Sequence, residues 1–249
     1  MENNVLIFCA GLVAGAMNSI AGGGSFVTFP ALVFLGMPSV SANATSTVAL
    51  FPGSLAGAWA YRGECGTFTG ASLKAMIGAS LAGGAAGALL LYTTPTTIFD
   101  KLIPWLLVMG TLAFSLGPKV GLIVRRRVAI GPGALLVGQV VLAVYGGYFG
   151  GAVGIMMMAV WSLFGITDIR SMNAAKTLLV GVTNFAAVLC FAATGLVWWG
   201  QSCIMLVGAV IGGYGGAHYA RRISPHHLRI GITLLNVVIT ALFLMRSIA

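Results

Sequence analysis

Residues 21–25 read Ala-Gly-Gly-Gly-Ser, and they interrupt an apolar run that extends from residue 5 to residue 36. A second glycine-rich stretch, Gly-Gly-Tyr-Phe-Gly-Gly-Ala-Val-Gly at residues 146–154, interrupts the apolar run 131–164 in the same way. A helix needs about 20 apolar residues to cross a membrane, so each run is too long for one crossing and too short for two. We call these stretches the first break and the second break. We expect the chain to enter the membrane, turn at the glycines and leave on the same side.

The composition indicates that this chain is embedded in a membrane. Of its 249 residues, 59% are hydrophobic and 7% are charged, and the mean hydropathy is +1.01. Soluble domains carry about 25% charged residues. The composition therefore excludes a water-soluble enzyme, a disordered chain and a nucleic-acid-binding module. The net charge of +9 comes from connecting loops, where lysine and arginine are typical of the cytoplasmic side. We predict an all-α polytopic membrane protein.

The two breaks belong to a larger duplication. Eight apolar segments can be read, at residues 5–36, 40–61, 69–93, 97–118, 131–164, 171–194, 198–217 and 228–247. An offset of 130 residues places Gly24 on Gly154, and residues 43–47 (Asn-Ala-Thr-Ser-Thr) on residues 173–177 (Asn-Ala-Ala-Lys-Thr). We therefore predict two repeats, residues 1–124 and 125–249, with four apolar segments each. Transporters commonly bind their substrate at the interface of such repeats.

The distribution of the 13 basic residues decides how the repeats are oriented. If each interrupted run is one crossing, the repeats are parallel and the two faces carry seven and six basic residues. If each run turns back, one face carries eleven and the other carries two, Lys101 and Arg246. Basic residues gather on the cytoplasmic side, which favours the second arrangement. Each half then has three transmembrane helices plus one glycine-broken re-entrant helical hairpin, and because three is odd the two repeats are inverted.

A glycine-rich turn that opens a helix is suited to binding an anion. Its backbone N–H groups have no partner within the helix and carry partial positive charge, and a small oxyanion can approach them closely. The alternative is that the glycines allow close helix packing. We favour packing for the glycine pairs 11/15, 53/57, 83/87, 208/212 and 212/216. At the breaks, the candidate binding residues are Gly22, Gly23, Gly24, Ser25, Gly150, Gly151 and Gly154.

Polar side chains beside both breaks extend the candidate site. Polar groups inside apolar segments are costly unless they pair, and they often mark a substrate path. Lys176 is the basic residue placed about one turn inside a helix beside a break, so it could supply a fixed positive charge. The alternatives are snorkelling of Lys176 to the cytoplasmic surface and, for the neutral residues, hydrogen bonding between helices. The candidate substrate-binding side chains are Asn18, Asn43, Thr47, Tyr148, Asn173, Lys176 and Thr177.

Enzymatic chemistry finds no support in the sequence. His218, His226 and His227 share one basic loop, with no carboxylate spaced for a metal site or a catalytic triad. The four acidic residues lie at chain ends or in loops, and the first break is not followed by the Gly-Lys-Ser/Thr of a nucleotide-binding loop. We therefore expect no enzyme activity, no cofactor and no metal ion.

The residues around both breaks resemble the TauE/SafE family of sulfite exporters. The resemblance is carried by residues 14–25 (Ala-Gly-Ala-Met-Asn-Ser-Ile-Ala-Gly-Gly-Gly-Ser), 30–32 and 42–47 in the first half, and by residues 146–150 and 168–178 in the second. It covers essentially the whole chain, although Ser25 stands where many members carry another glycine. The resemblance implies a multi-pass permease of the bacterial cytoplasmic (inner) membrane, built as a twofold repeat, for sulfite, sulfoacetate or other small sulfur-containing or organic anions.

We expect this chain to transport a small sulfur-containing anion such as sulfite by alternating access, with the site at the interface of the repeats. The sequence leaves open a permease for another small organic anion (a sulfonate or a short carboxylate), a passive anion channel and a non-transporting membrane scaffold. The expected partners are the anionic substrate and the lipid bilayer, with no nucleic acid. Homo-oligomer formation, the direction of transport and the coupling ion are left open.

Overall fold

The fold is known from a computed structural model, which describes residues 2–20, 23–60, 71–125, 132–163, 169–220 and 225–248. These ranges form ten α-helices and contain no β-strand, which confirms the all-helical fold. Each interrupted apolar run forms two helices, and each of the other segments forms one. The helices are α1 (Glu2–Ile20), α2 (Ser25–Phe34), α3 (Ser39–Ala60), α4 (Leu73–Thr93), α5 (Thr96–Arg125), α6 (Pro132–Tyr148), α7 (Val153–Leu163), α8 (Ile169–Thr194), α9 (Trp199–Ala220) and α10 (Pro225–Ile248).

Both breaks separate a long helix from a short one. The short helices α2 and α7 have 10 and 11 residues, so they are about 15 and 17 Å long, roughly half of the ~30 Å hydrocarbon core. Val27 of α2 packs against Met17 of α1, so the chain folds back at the first break. At the second break, a Cβ built on Gly146 would lie 3.1 Å from Cγ2 of Val153 in α7. Each short helix therefore begins beside the helix that precedes it.

Several helices have the length and composition of membrane-crossing segments. Within the described ranges, three helical segments are long and apolar enough to cross: Leu73–Thr93, Thr96–Ala113 and Ala174–Thr194. Four shorter apolar helical segments accompany them: Ser25–Phe34, Gly133–Tyr148, Val153–Ser162 and Thr233–Met245. Large apolar side chains such as Trp105, Val141 and Leu189 are exposed. Extensive exposed apolar surface is typical of a protein that is surrounded by lipid.

The closest helix pairs join the first part of the chain to the second. α1 packs along α9, and the contact is between glycine and backbone. Gly11 and Gly15 lie against the backbone of α9, and Gly208 and Gly212 lie against the backbone of α1. A Cβ at any of these four positions would collide with a main-chain atom of the other helix. The predicted packing function of these glycines is therefore confirmed.

A second glycine-lined pair joins α4 to α6. Gly83 and Gly87 lie against the backbone of α6, and Gly84 lies against Gly147. The packing interpretation is wrong at Gly53 within the described part of the chain, because a Cβ there would meet none of the described atoms within 4 Å. For Gly57 and Gly216 the interpretation lies outside the described side chains.

An aromatic cluster holds the short helix α2 in the centre of the molecule. Phe29 is fully buried, and its ring centroid lies 6.4 Å from that of Phe99, 5.7 Å from that of Phe149 and 5.9 Å from that of Phe243. These partners belong to α5, to the second break and to α10. Around this centre, α3 packs against α8 and α9, α4 against α8, and α5 against α7 and α10. The cluster thus fixes α2 next to the second break.

Candidate functional site

The two breaks lie side by side in the structure. A Cβ built on Gly150 would lie 3.9 Å from the Ser25 hydroxyl oxygen, and one built on Gly151 would lie 3.4 Å from the Phe26 ring. Met17, at the end of α1, packs against both Val27 of α2 and Ile155 of α7. The N-termini of the two short helices are therefore neighbours, although they are far apart in the sequence.

At the first break, hydrogen-bond donors are presented by Ser25, which belongs to the break, and by Asn18, which precedes it on α1. The Gly24 N–H donates to Asn18 Oδ1 over 2.8 Å, whereas the Asn18 Nδ2 group has no partner among the described residues. Neither the backbone N–H nor the hydroxyl of Ser25 has a hydrogen-bond partner in that part of the chain. Gly23 adopts a φ of +92°, which a residue with a side chain would rarely accept. Gly22 lies outside the described residues.

In the second break, four consecutive backbone N–H groups have no acceptor among the described residues. They belong to Gly151, Ala152, Val153 and Gly154, whereas the Gly150 N–H donates to the Tyr145 carbonyl over 3.3 Å. The last two of them open α7, where the helix dipole adds positive potential. Ala152 is buried at a φ of +59°, in the left-handed region. A buried alanine in this conformation is strained, and such strain concentrates at functional sites.

Lys176 lies next to this helix end. Its side chain is 9% exposed, and its Cγ and Cδ atoms lie 3.0 Å from the position of a Cβ on Gly154. Within the described part of the chain, the Lys176 ammonium makes no hydrogen bond and no ion pair. A buried cation beside the positive end of a helix is electrostatically unfavourable on its own. The arrangement is suited to an anion, which would neutralise both charges.

Asn43 and Tyr148 connect the first half of the sequence to the second, and Thr47 bonds to Asn43 within α3. Asn43 Nδ2 donates to the Tyr148 carbonyl over 2.9 Å, and the Thr47 hydroxyl donates to the Asn43 carbonyl over 2.9 Å. These donors are therefore engaged within the protein in this structure. Thr177 is half-buried on α8, one residue after Lys176. The Asn173 side chain lies outside the described side chains.

Two buried side-chain amides, Gln139 and Asn236, lie outside the predicted set of site residues. Gln139 of α6 is fully satisfied: its Nε2 donates to the Ser80 hydroxyl over 2.8 Å, and its Oε1 accepts from Trp161 Nε1 over 3.2 Å. Asn236 of α10 is also fully buried, but neither its Nδ2 nor its Oδ1 has a partner among the described residues. A polar residue inside an apolar helix is the only sequence signal for either of them.

The described residues contain no group of three or more His, Cys, Asp or Glu side chains that could hold a metal ion. The donors around the two breaks are backbone N–H groups, a hydroxyl, a carboxamide and an ammonium. Such a set favours non-covalent binding of an oxyanion.

Comparison with known proteins identifies the family of the chain. The family model described as sulfite exporter TauE/SafE matches residues 7–243. The chain is 31% identical to a probable membrane transporter protein, YfcA, of Escherichia coli strain K12, over 97% of this chain and 90% of the relative. It is 29% identical to a probable membrane transporter protein of Haemophilus influenzae, over 95% of this chain and 92% of the relative.

A third relative is a probable membrane transporter protein, ORF9, of Sinorhizobium, which is 30% identical over 86% of this chain and 82% of that protein. No solved structure gives a significant match. The family and these relatives are membrane transporters and not enzymes. The chain belongs to the TauE/SafE sulfite exporter family of membrane transporters.

Proposed function

We propose that this protein carries a small sulfur-containing anion such as sulfite across the bacterial cytoplasmic membrane, and that the anion binds between the two breaks. The observation that carries the proposal is the concentration of unengaged donors there. Four N–H groups of the second break, the Ser25 N–H and hydroxyl, and the Lys176 ammonium have no acceptor among the described residues.

The electrostatic balance supports an anion of low charge. Lys176 contributes one positive charge, and the N-terminus of α7 contributes about half a charge more. A hydrogen bond to a charged group contributes about 1.5–3 kcal/mol, so several such bonds would offset the desolvation of a small oxyanion. The choice of sulfite rests on the family description, and the names of the relatives specify no substrate.

We further propose that the halves are inverted repeats related by a twofold pseudo-symmetry. The pairs α1–α9 and α4–α6 exchange if α1–α5 are superimposed on α6–α10. Thr111 and Thr240, which are 129 residues apart, share a hydrogen bond of 3.0 Å, as expected for equivalent residues on a pseudo-symmetry axis. With the positive-inside distribution of basic residues, this pattern supports the re-entrant arrangement.

The moving units of transport would not coincide with the two repeats. A movement of residues 1–124 against 125–249 would break both glycine-lined pairs, α1–α9 and α4–α6. We define a central body, α4–α8, and a terminal body, α1–α3 with α9 and α10, which keep these pairs intact. The first break belongs to the terminal body and the second to the central body, so the proposed site lies between them. Movement of one body against the other would give alternating access.

The test is counterflow of labelled sulfite in proteoliposomes, with sulfate, sulfoacetate, thiosulfate, acetate and chloride as competitors. Saturable sulfite counterflow that acetate and chloride do not inhibit is the expected result. Counterflow of a labelled sulfonate or carboxylate without sulfite counterflow would replace the substrate. Flux that does not saturate would indicate a channel, and no flux with any anion would contradict a transport function.

A further inference from the structure

Asn236 is a buried polar residue that the fold does not explain. Its side chain is fully buried on α10, and both its Nδ2 and its Oδ1 lack a hydrogen-bond partner in the described part of the chain. Burying an amide without partners costs free energy, so such a group in a native protein requires a reason. An apolar side chain of similar shape would pack there without this cost.

The equivalent position in the first half carries such an apolar side chain. Thr111 and Thr240 are paired by an offset of 129 residues, one fewer than the offset at the breaks. The same offset of 129 places Leu107 at the position of Asn236. Leu107 is also fully buried, on α5. Leucine and asparagine have similar shapes, so packing alone does not require an amide at this position.

The chain neighbour of Asn236 contacts a residue that touches both short helices. Leu235 packs against Met17, which also contacts Val27 of α2 and Ile155 of α7. Further along α10, Phe243 contacts Phe29 of α2. The segment of α10 that carries Asn236 is therefore one side chain, Met17, away from the first turns of both short helices.

We propose that Asn236 is a further substrate ligand and a specificity-determining residue of the site described under the proposed function, on which this inference rests. Its Nδ2 donates to an oxygen of the anion. Its Oδ1, which can only accept, binds an O–H group of the anion. A fully deprotonated dianion offers no such donor and would be repelled by Oδ1. The site therefore selects a protonated monoanion, hydrogensulfite, over a dianion such as sulfate.

The test is the concentration dependence of sulfite counterflow in the Asn236→Leu variant. Loss of a hydrogen bond to a charged ligand predicts a roughly 10- to 100-fold rise in KM. The maximal rate and the folded monomer peak should stay near those of the wild type. Preference for sulfite over methanesulfonate, a monoanion without an O–H group, should fall as well. Thermal stability should be retained or raised, because a buried unpartnered amide is removed.

One control variant and a second variant of Asn236 distinguish a substrate ligand from a structural residue. Gln139→Leu removes a buried amide that is fully engaged inside the protein, so its stability and its transport should fall together. Asn236→Ala is the second variant at the site, because a smaller side chain cannot clash. An unchanged KM in either Asn236 variant overturns the proposal, and so does failure of both to fold. Absence of sulfite counterflow in the wild type would instead contradict the proposed function.

Discussion

Lys176 combines burial, charge and the lack of a partner among the described residues. It lies against Gly154 at the N-terminus of α7, and it makes no ion pair within the described residues. Retaining such a charge costs stability, because a buried ion without its partner is strongly disfavoured. The proposed binding of an anion would compensate for this cost.

Replacing Lys176 should therefore separate transport from stability. Lys176→Ala and Lys176→Met should reduce sulfite counterflow by at least about tenfold, the equivalent of 1.4 kcal/mol. The yield of folded protein should be unchanged, and Lys176→Met should unfold at an equal or higher temperature. Counterflow per folded protein and thermal unfolding in detergent measure the two effects. Equal loss of protein and transport would make Lys176 a structural residue.

Asn43 and Asn173 are predicted to have equivalent functions in the two halves. Asn43 ties α3 to the carbonyl of Tyr148, and the offset of 130 residues pairs Tyr148 with Asn18. If the halves exchange conformations during transport, Asn173 makes the corresponding tie in the opposite state. Asn43→Ala and Asn173→Ala should therefore slow counterflow by similar factors, about fivefold for loss of ~1 kcal/mol. One inactive variant beside one fully active variant would contradict symmetric use.

Single residues show how far the sequence is informative. Lys176 was predictable because a charge inside an apolar segment is rare. Ala152 was not, because its left-handed backbone conformation is imposed by the packing of the second break and alanine carries no signal for it. Asn236 was missed because its significance lies in the absence of partners among the described residues, which only tertiary structure can show.

At the scale of elements, the lengths of the apolar runs and their glycines were sufficient to predict two broken helices. The structure divides both runs at the predicted glycines. Which glycines pack against another helix depends on the helix partner, and sequence spacing does not specify it. Gly11 and Gly15 contact α9, whereas Gly53, which has the same spacing to Gly57, would contact none of the described residues within 4 Å of an added Cβ.

The glycine contacts between α1 and α9 predict a large loss of folding stability when a single methyl group is added at one of these glycines. In Gly212→Ala, the new Cβ would overlap the Leu12 carbonyl, so the helices must separate. Overpacking of this kind costs about 1–3 kcal/mol. Gly78→Ala is the matched control on α4, where a Cβ meets no described atom within 4 Å. Alanine should stabilise the helix there by about 0.5–1 kcal/mol. Thermal unfolding of both variants in detergent measures the difference, and equal stabilities would contradict the packing interpretation.

For the whole molecule, the sequence predicts a duplication, but it does not predict which helices of the two halves pack together. Residues 1–124 and 125–249 were predicted as repeats, and the repeat boundary says nothing about which helices pack together. The closest pairs, α1–α9 and α4–α6, join opposite halves. The proposed central and terminal bodies follow from these contacts.

Cross-linking can test both the bodies and their symmetry. An exchange of conformations between the halves leaves the distance between equivalent residues unchanged. A disulfide between Thr111→Cys and Thr240→Cys, whose hydroxyl oxygens are 3.0 Å apart, should therefore permit counterflow. A short thiol cross-link between Met17→Cys and Ile155→Cys joins non-equivalent residues of the two bodies and should stop it.

Each double-cysteine variant is its own control before cross-linking, in a background without the four native cysteines. Single-cysteine variants treated with the same reagent show whether modification alone blocks the site. Full activity of the cross-linked Met17/Ile155 pair would contradict the proposed movement, and loss of activity in the Thr111/Thr240 pair would contradict the exchange symmetry.

We propose that the two breaks form one anion site, completed by Lys176. Calorimetric titration of the purified protein with sulfite is the first test, because stoichiometry distinguishes one shared site from two separate ones. We expect one sulfite bound per chain in the wild type, no competition by chloride, and no binding in Lys176→Met. Two sites per chain, or unchanged binding in Lys176→Met, would contradict it.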